Sequence, residues 1–192
     1  MGNIVGSLTL IQKSIIIGSV LGDGSLRKTK NRRNALLEIN HSFSSKEYVD
    51  WKYEHLKNLV ITPPKERKNN GKRIAYRFTT RSLPEITQYY NKFYQDNKKV
   101  IFENIILDPL VMAVWFMDDG NKTYNALYLN TQQFDLNSQY ELINQLFNQW
   151  GIESTLNKDK IYFRIRIRTS SALKFKKIIK PFVLPLFYYK LM

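Results

Sequence analysis

Ile15-Ile16-Ile17-Gly18-Ser19-Val20-Leu21-Gly22-Asp23-Gly24 and Val111-Met112-Ala113-Val114-Trp115-Phe116-Met117-Asp118-Asp119-Gly120 are two apolar decapeptides that close on the same Asp-Gly pair. Their aspartates lie half a chain length apart, so the polypeptide reads as one unit written twice, and internal repetition governs every later assignment. Each stretch suits a short buried helix and falls well below the roughly 20 apolar residues that cross a bilayer.

The flanks repeat in the same order. A basic turn follows each motif, with Arg27, Lys28, Lys30, Arg32 and Arg33 in the first copy and Lys122 in the second, and then a strand, Leu36 to Ser42 or Leu127 to Gln132. Ser44-Ser45-Lys46-Glu47 and Ser138-Gln139-Tyr140-Glu141 each fit the Ser-x-x-Glu capping box ahead of helical apolar spacing, and Gly151 is a natural stop for the second of these helices. Next come two alternating strands. Arg73, Ala75, Arg77, Thr79 and Arg81 oppose Ile74, Tyr76 and Phe78, while Arg164, Arg166 and Arg168 oppose Phe163, Ile165 and Ile167. Successive strand side chains point to opposite faces, so each sheet has a cationic face and a core face. A last helix is expected from about residue 83 to 97 and from about 172 to 189.

The fold class that follows is α/β of the α+β type: two pseudo-symmetric αββαββα half-domains whose antiparallel sheets form a saddle, with the motif helices paired at their interface. Residues 1–99 form the first half-domain, 100–108 a linker, and 109–192 the second, with Asp108 as N-cap and Pro109 as first helical residue. The helix pairing rests on Gly18 and Gly22, which lack a Cβ and let a second helix approach closely.

Charge supplies the partner. Lys plus Arg number 30 against 16 Asp plus Glu, a net +14. Such an imbalance draws polyanions, and nucleic acid is the leading candidate. An anionic membrane surface would call for basic residues at helical spacing, where these alternate at strand spacing, so no membrane partner is expected. With no cysteine and two histidines, any catalytic metal must be held by oxygen. No signal-peptide order of basic, apolar and small residues opens the chain, so secretion is not expected.

If the two motif helices end side by side, Asp23 and Asp119 emerge together, and two carboxylates can hold Mg²⁺ while leaving waters in place. A metal so held neutralises phosphate charge, activates water and stabilises the leaving oxygen of phosphodiester hydrolysis. Lys99 and Lys190 stand at similar distances along the chain from their aspartates and could add positive charge. A plainer reading makes Asp23-Gly24 and Asp119-Gly120 left-handed helix caps. Asp118 and Asp119 project about 100° apart on a helix, so one of them faces a partner well, and Asp119 is the choice. The Gly22-Asp23-Gly24 string has no Lys-Ser/Thr after it and no third glycine at dinucleotide spacing, which argues against a nucleotide-binding loop. His41 and His55 read as a strand edge and a helix surface, and the helix lysines Lys46, Lys52 and Lys57 as a solvated face. Beyond the strand arginines, Lys65, Arg67, Lys72 and Arg73 extend phosphate contact along the sheet, as do Gln132 and Lys158 in the second copy.

The paired motifs, together with Leu129-Asn130-Thr131-Gln132, Ile179-Lys180-Pro181-Phe182 and Tyr189-Lys190-Leu191, resemble the monomeric LAGLIDADG homing endonucleases encoded in mitochondrial group I introns. The resemblance covers nearly the whole chain. It implies that Asp23 and Asp119 are the metal ligands, helped by the backbone carbonyls of Gly22 and Asp118. It further implies that Lys99 and Lys190 take the place of the active-site basic residues, and that Asn40 and Asn130 hold the water-ordering positions. It implies a Mg²⁺-dependent cut of both strands of a long pseudo-palindromic DNA site, leaving 3′ overhangs, with Mn²⁺ substituting and Ca²⁺ supporting binding alone. An organellar, mitochondrial setting and a monomer follow from the same likeness. Two other readings stay open on this scaffold: an intron RNA maturase and a DNA-binding regulator that does not cut.

Overall fold

The computed structural model describes residues 7–68, 74–124 and 126–192. The chain divides into two compact units, Met1–Asn91 and Lys92–Met192. In the first, helix α1 (Leu10–Leu21) leads into strands β1 (Ser25–Arg27) and β2 (Leu36–Ser42), helix α2 (Lys46–Leu56), strands β3 (Lys65–Lys68) and β4 (Ile74–Thr79), and helix α3 (Pro84–Phe93). A two-stranded ribbon, β5 (Tyr94–Gln95) and β6 (Lys98–Lys99), follows. In the second unit α4 (Pro109–Asp119), β7 (Gly120–Thr123), β8 (Ala126–Leu129), α5 (Leu136–Trp150), β9 (Ser154–Asp159), β10 (Tyr162–Ile167) and α6 (Thr169–Ile179) repeat the order. Both four-stranded sheets are antiparallel, arranged β1-β2-β4-β3 and β7-β8-β10-β9.

Local chemistry sets the helix ends. Thr9 and Gln12 form a reciprocal capping box at the start of α1, and Asp108 accepts from the Val111 N–H at 2.8 Å with Pro109 just inside α4. Gly151 ends α5 in the left-handed region at φ +57, satisfying the Leu146 and Phe147 carbonyls. Apolar faces then close the two cores. In the first unit Leu37 and Ile39 of β2 and Phe78 of β4 are buried with Tyr48, Val49 and Leu56 of α2; in the second, Leu127, Leu129, Ile165 and Ile167 are buried with Leu142 and Leu146 of α5 and Phe175 of α6. Among the described residues no helix is long and apolar enough to cross a membrane.

Several expectations change. Neither Ser-x-x-Glu string is a capping box. In the first copy a 3-10 turn (Phe43–Ser45) precedes α2 and Ser45 makes no side-chain cap bond, while α5 starts at Leu136 and is capped by Asp135, whose carboxylate accepts from the Ser138 N–H at 2.7 Å. A carboxylate beside a helix N-terminus outcompetes a hydroxyl because it carries full charge. Segment 100–108 packs within the second unit, laced to α5: Ile101 N–H donates to Ser138, Leu107 N–H to Gln149, and the Trp150 indole N–H to the Leu107 carbonyl. The expected last helix of each copy is also shorter. α3 stops at Phe93, and α6 stops at Ile179 because Pro181 and Pro185 remove backbone donors, leaving 3-10 turns Lys180–Phe182 and Pro185–Lys190. Lys72 and Arg73 lie outside the described residues.

Candidate active site and nucleic-acid interface

Each Asp-Gly pair sits where a helix turns into the first strand of its sheet. Neither glycine has a positive φ, so the left-handed cap reading fails for both. Crowding requires them instead. A Cβ on Gly24 would lie 2.7 Å from the Ser19 carbonyl oxygen, and one on Gly120 would lie 2.3 Å from the Phe116 carbonyl oxygen and 2.2 Å from its ring. The chain leaves each helix by folding back against the last turn, which no side chain at that position permits. The two turns differ by a residue: Gly24 N–H reaches five back to Ser19, and Gly120 N–H four back to Phe116.

In the first unit, Asp23 is exposed just past α1, its side chain half accessible, and its Oδ2 stands 3.5 Å from His41 Nδ1. His41 lies on β2, and its side chain is nine-tenths buried. Its other ring nitrogen, Nε2, is 3.4 Å from the ammonium of Lys52 on α2, a lysine with no solvent exposure. Asn40, the neighbour of His41, points to the opposite, exposed face, paired with Arg77. Sequence reading missed the Lys52–His41–Asp23 line and treated Lys52 as solvated. The signal was present: Lys52 falls four residues after Tyr48 and four before Leu56, on the buried stripe of α2.

In the second unit, Asp118 and Asp119 are both half-buried at the end of α4, and the Asn130 N–H donates to the Asp119 main-chain oxygen at 3.0 Å. Lys190 delivers its ammonium to the Met117 carbonyl at 2.7 Å and lies 3.4 Å from that of Phe116, so it meets the carbonyl end of α4 directly before the two acids. A cation there bonds carbonyls of the last helical turn and opposes the negative end of the dipole. Lys99 differs. It sits on β6 and donates to Gln133 just beyond β8, so the two lysines are not held alike.

Sheet register sorts the basic residues. On the first sheet Arg27, Glu38, Asn40, Arg77, Lys65 and Arg67 share the face opposite Leu37, Ile39 and Phe78. Glu38 holds Arg27 at 3.0 Å and Arg77 at 3.9 Å, organising that face from within. On the second sheet Arg164 and Arg166 share a face with Tyr128, Thr155 and Asn157, and the Arg164 guanidinium stacks 4.1 Å over the Tyr128 ring. Lys122 and Lys158 do not belong to it: they pair with Leu127 and Phe163, on the apolar side, at exposed strand ends. Arg168 and Arg81 fall beyond their strands. Arg168 is the residue before α6, and Arg81 is tied to the Asn58 carbonyl. Gln132 donates to Asp159 at 2.8 Å, and Arg32 to Ser82 at 3.1 Å, while Lys28, Lys30 and Arg33 are exposed on the loop after β1. Asn121, Thr155 and Asn157 join the polar face without a charge to announce them, which is why composition passed over them.

Two helices closing on crowded Asp-Gly turns, each feeding a four-stranded antiparallel sheet with a guanidinium-bearing face, define a nucleic-acid enzyme of the homing-endonuclease kind. The chain belongs to the LAGLIDADG DNA endonuclease family, whose pattern matches residues 13–175. It is 30% identical to DNA endonuclease I-ChuI of Chlamydomonas applanata, over 96% of this chain and 95% of that protein. It is 31% identical to cytochrome b mRNA maturase bI2 of Debaryomyces hansenii, over 92% of this chain and 72% of the relative. Among solved structures it is similar to the homing endonuclease I-WcaI bound to its DNA recognition sequence, with a TM-score of 0.90, 28% identity, and coverage of 98% of this chain and 88% of the other.

Proposed function

We propose that the protein is a monomeric endonuclease that cuts both strands of a long, approximately palindromic DNA site, with Asp23 and Asp119 as the acidic residues at the two scissile phosphates. The observation that carries this reading is the repeated aspartate at the mouth of a helix-to-strand turn, each beside a sheet with an arginine-bearing face. The residues at each helix end fit a hard divalent cation: the first unit offers the Asp23 carboxylate and the Gly22 main-chain oxygen, the second the Asp119 carboxylate and the Asp118 main-chain oxygen, and no thiolate exists in the chain. Mg²⁺ is the expected ion, with Mn²⁺ able to replace it and Ca²⁺ able to support binding only. When bound, it would supply charge neutralisation and an acidified water at the phosphodiester.

The chain's own residues do the remainder. Arg77, Lys65 and Arg67 on one sheet, and Arg164 and Arg166 on the other, seat the duplex through its major groove. Asn40 and Asn130 order water near the scissile phosphates, and Lys99 and Lys190 add positive charge. A mitochondrial intron would be the natural coding site for such a protein.

The test is cleavage of a duplex-site library with Mg²⁺, beside Asp23→Asn, Asp118→Asn and Asp119→Asn. Loss of double-strand breaks in the first and third variants, with Ca²⁺-supported binding kept, is the expected result. Cleavage surviving Asp119→Asn but not Asp118→Asn would move the ligand by one residue, and cleavage surviving all three would end the nuclease reading. The maturase likeness favours a second activity on intron RNA; splicing rescued equally by wild type and Asp23→Asn would establish it separately from cutting.

A further inference from the structure

We infer that Lys52 is a positioning residue: its buried ammonium fixes His41 as the neutral tautomer protonated at Nδ1, so that the imidazole donates to Asp23 and is not itself a metal ligand. The inference rests on the reading of Asp23 as an active-site carboxylate.

An ammonium has three donors and no acceptor. With Lys52 Nζ 3.4 Å from His41 Nε2, that nitrogen must present its lone pair, and the ring proton must then sit on Nδ1. Nδ1 is the atom that faces Asp23 Oδ2, at 3.5 Å. The same ammonium lies 4.3 Å over the Tyr48 ring, and Tyr48 is fully buried, so the site is built to hold a cation. Removing a lysine from water without such partners is strongly unfavourable. A lysine kept at such a position therefore calls for a role that an apolar residue would not fill.

The second half of the molecule supplies an internal comparison. α2 begins at Lys46 and α5 at Leu136, and at that same offset of 90 (136 − 46) His41 corresponds to Thr131 and Lys52 to Leu142. Both replacements are fully buried, and Thr131 pairs with neutral Gln139. The imidazole and the buried cation are present together in one copy and absent together in the other. The second copy is built without either, and there Leu142 fills the helix position with an aliphatic side chain. The ionic line is a feature of the first copy.

The experiment uses the full-length, metal-free protein with ¹⁵N-labelled histidine. His55 is the only other histidine, so His55→Gln assigns the spectrum. Long-range ¹H–¹⁵N correlations should show His41 as a single neutral species protonated at Nδ1, unchanged when Mg²⁺ is added. In Lys52→Met that species should give way to a mixture of tautomers while the protein stays folded, and Mn²⁺ affinity should fall roughly tenfold to a hundredfold, as for other partners behind a metal ligand. A wild-type His41 protonated at Nε2, or an Nδ1 that loses its proton to the metal, overturns the inference. So does a Lys52→Met protein whose His41 spectrum and Mn²⁺ affinity match wild type. If Lys52→Met does not fold, the wild-type spectrum decides alone. The expected tautomer beside an Asp23→Asn protein that still cuts DNA would sink the catalytic role of Asp23 and leave the Lys52–His41 relation standing.

Discussion

His41 Nδ1 lies 3.5 Å from Asp23 Oδ2, and so strand β2 meets a carboxylate that stands half exposed to solvent just past α1. Fixing that carboxylate in one rotamer matters because the reacting groups of a phosphodiesterase must hold their geometry closely. His41→Ala should lower single-turnover cleavage at saturating DNA by about 10–100-fold, the range for groups that orient a metal ligand. DNA affinity should be unchanged. Equal loss in affinity and rate, measured by binding in Ca²⁺ and cleavage in Mg²⁺, would mean that His41 supports the fold and not the acid.

Gly120 makes the sharper structural prediction. A methyl group there would overlap both the carbonyl and the ring of Phe116, whose ring already packs edge-on against Phe175 at 5.6 Å. The neighbour is a core aromatic with no room to retreat, so Gly120→Ala should cost about 1–3 kcal/mol. Denaturant melts of the variant should show the midpoint falling at constant slope. A neutral result would mean that the turn after α4 is softer than its contacts imply.

Lys190 joins stability to chemistry. Its ammonium bonds the Met117 carbonyl beside the acidic pair, and Lys190→Met removes a charged hydrogen bond of about 1.5–3 kcal/mol. For a chain of this size each kcal/mol lowers the melting temperature by about 2–4 °C. Cleavage should fall as well, by on the order of a hundredfold, if the positive charge also serves the phosphate. A drop in melting temperature with full activity below it would reduce Lys190 to a helix cap.

The repeat was legible because Asp-Gly closure, alternating strands and a Pro-started helix are local signals, and the element order they imply is the one found. The Asp108–Pro109 start of α4 and the Gly151 stop of α5 were readable for the same reason. What escaped depends on contacts distant in sequence. Ser138 looked like an N-cap because it precedes Glu141, yet its hydroxyl serves Ile101, and Asp135 takes the cap. Lys52 looked solvated because lysines usually are, and only the packing of α2 on β2 shows otherwise. Lys122 and Lys158 looked like DNA contacts by charge, but a one-residue register decides the face.

Tyr76 sets an alkaline limit. Burial raises its phenol first, and the hydrogen bond and negative charge of Asp50 raise it further, while Asp50 also holds the exposed Lys46 ammonium up. Both groups bind their protons more tightly folded than unfolded, so their contribution is complete below about pH 10 and is lost as pH rises through the raised values. Tyr76→Phe removes the 3.0 Å bond to Asp50 and should cost about 0.5–1.5 kcal/mol at neutral pH. Its stability should then fall less steeply than wild type above about pH 10. Parallel curves in urea melts across that range would remove Tyr76 from the account.

Register makes the last prediction, and it separates charge from position. Arg164 and Lys122 are both cationic residues of the second sheet, yet Arg164 shares the face of Arg166, Asn157 and Tyr128, whereas Lys122 lies across from Leu127 on the other side. Each phosphate neutralised in a duplex complex adds roughly −0.9 to the slope of log affinity against log salt. If the arginine face meets DNA, Arg164→Ala should flatten that slope by about one phosphate, or relax base preference if its fork reads guanine instead. Lys122→Ala should leave slope and preference as they were. Binding titrations in Ca²⁺ at several salt concentrations measure both variants on one DNA site. A larger change for Lys122 than for Arg164 would put the duplex on the wrong face of the sheet, and general basicity would then explain the binding better than the alternation along β10.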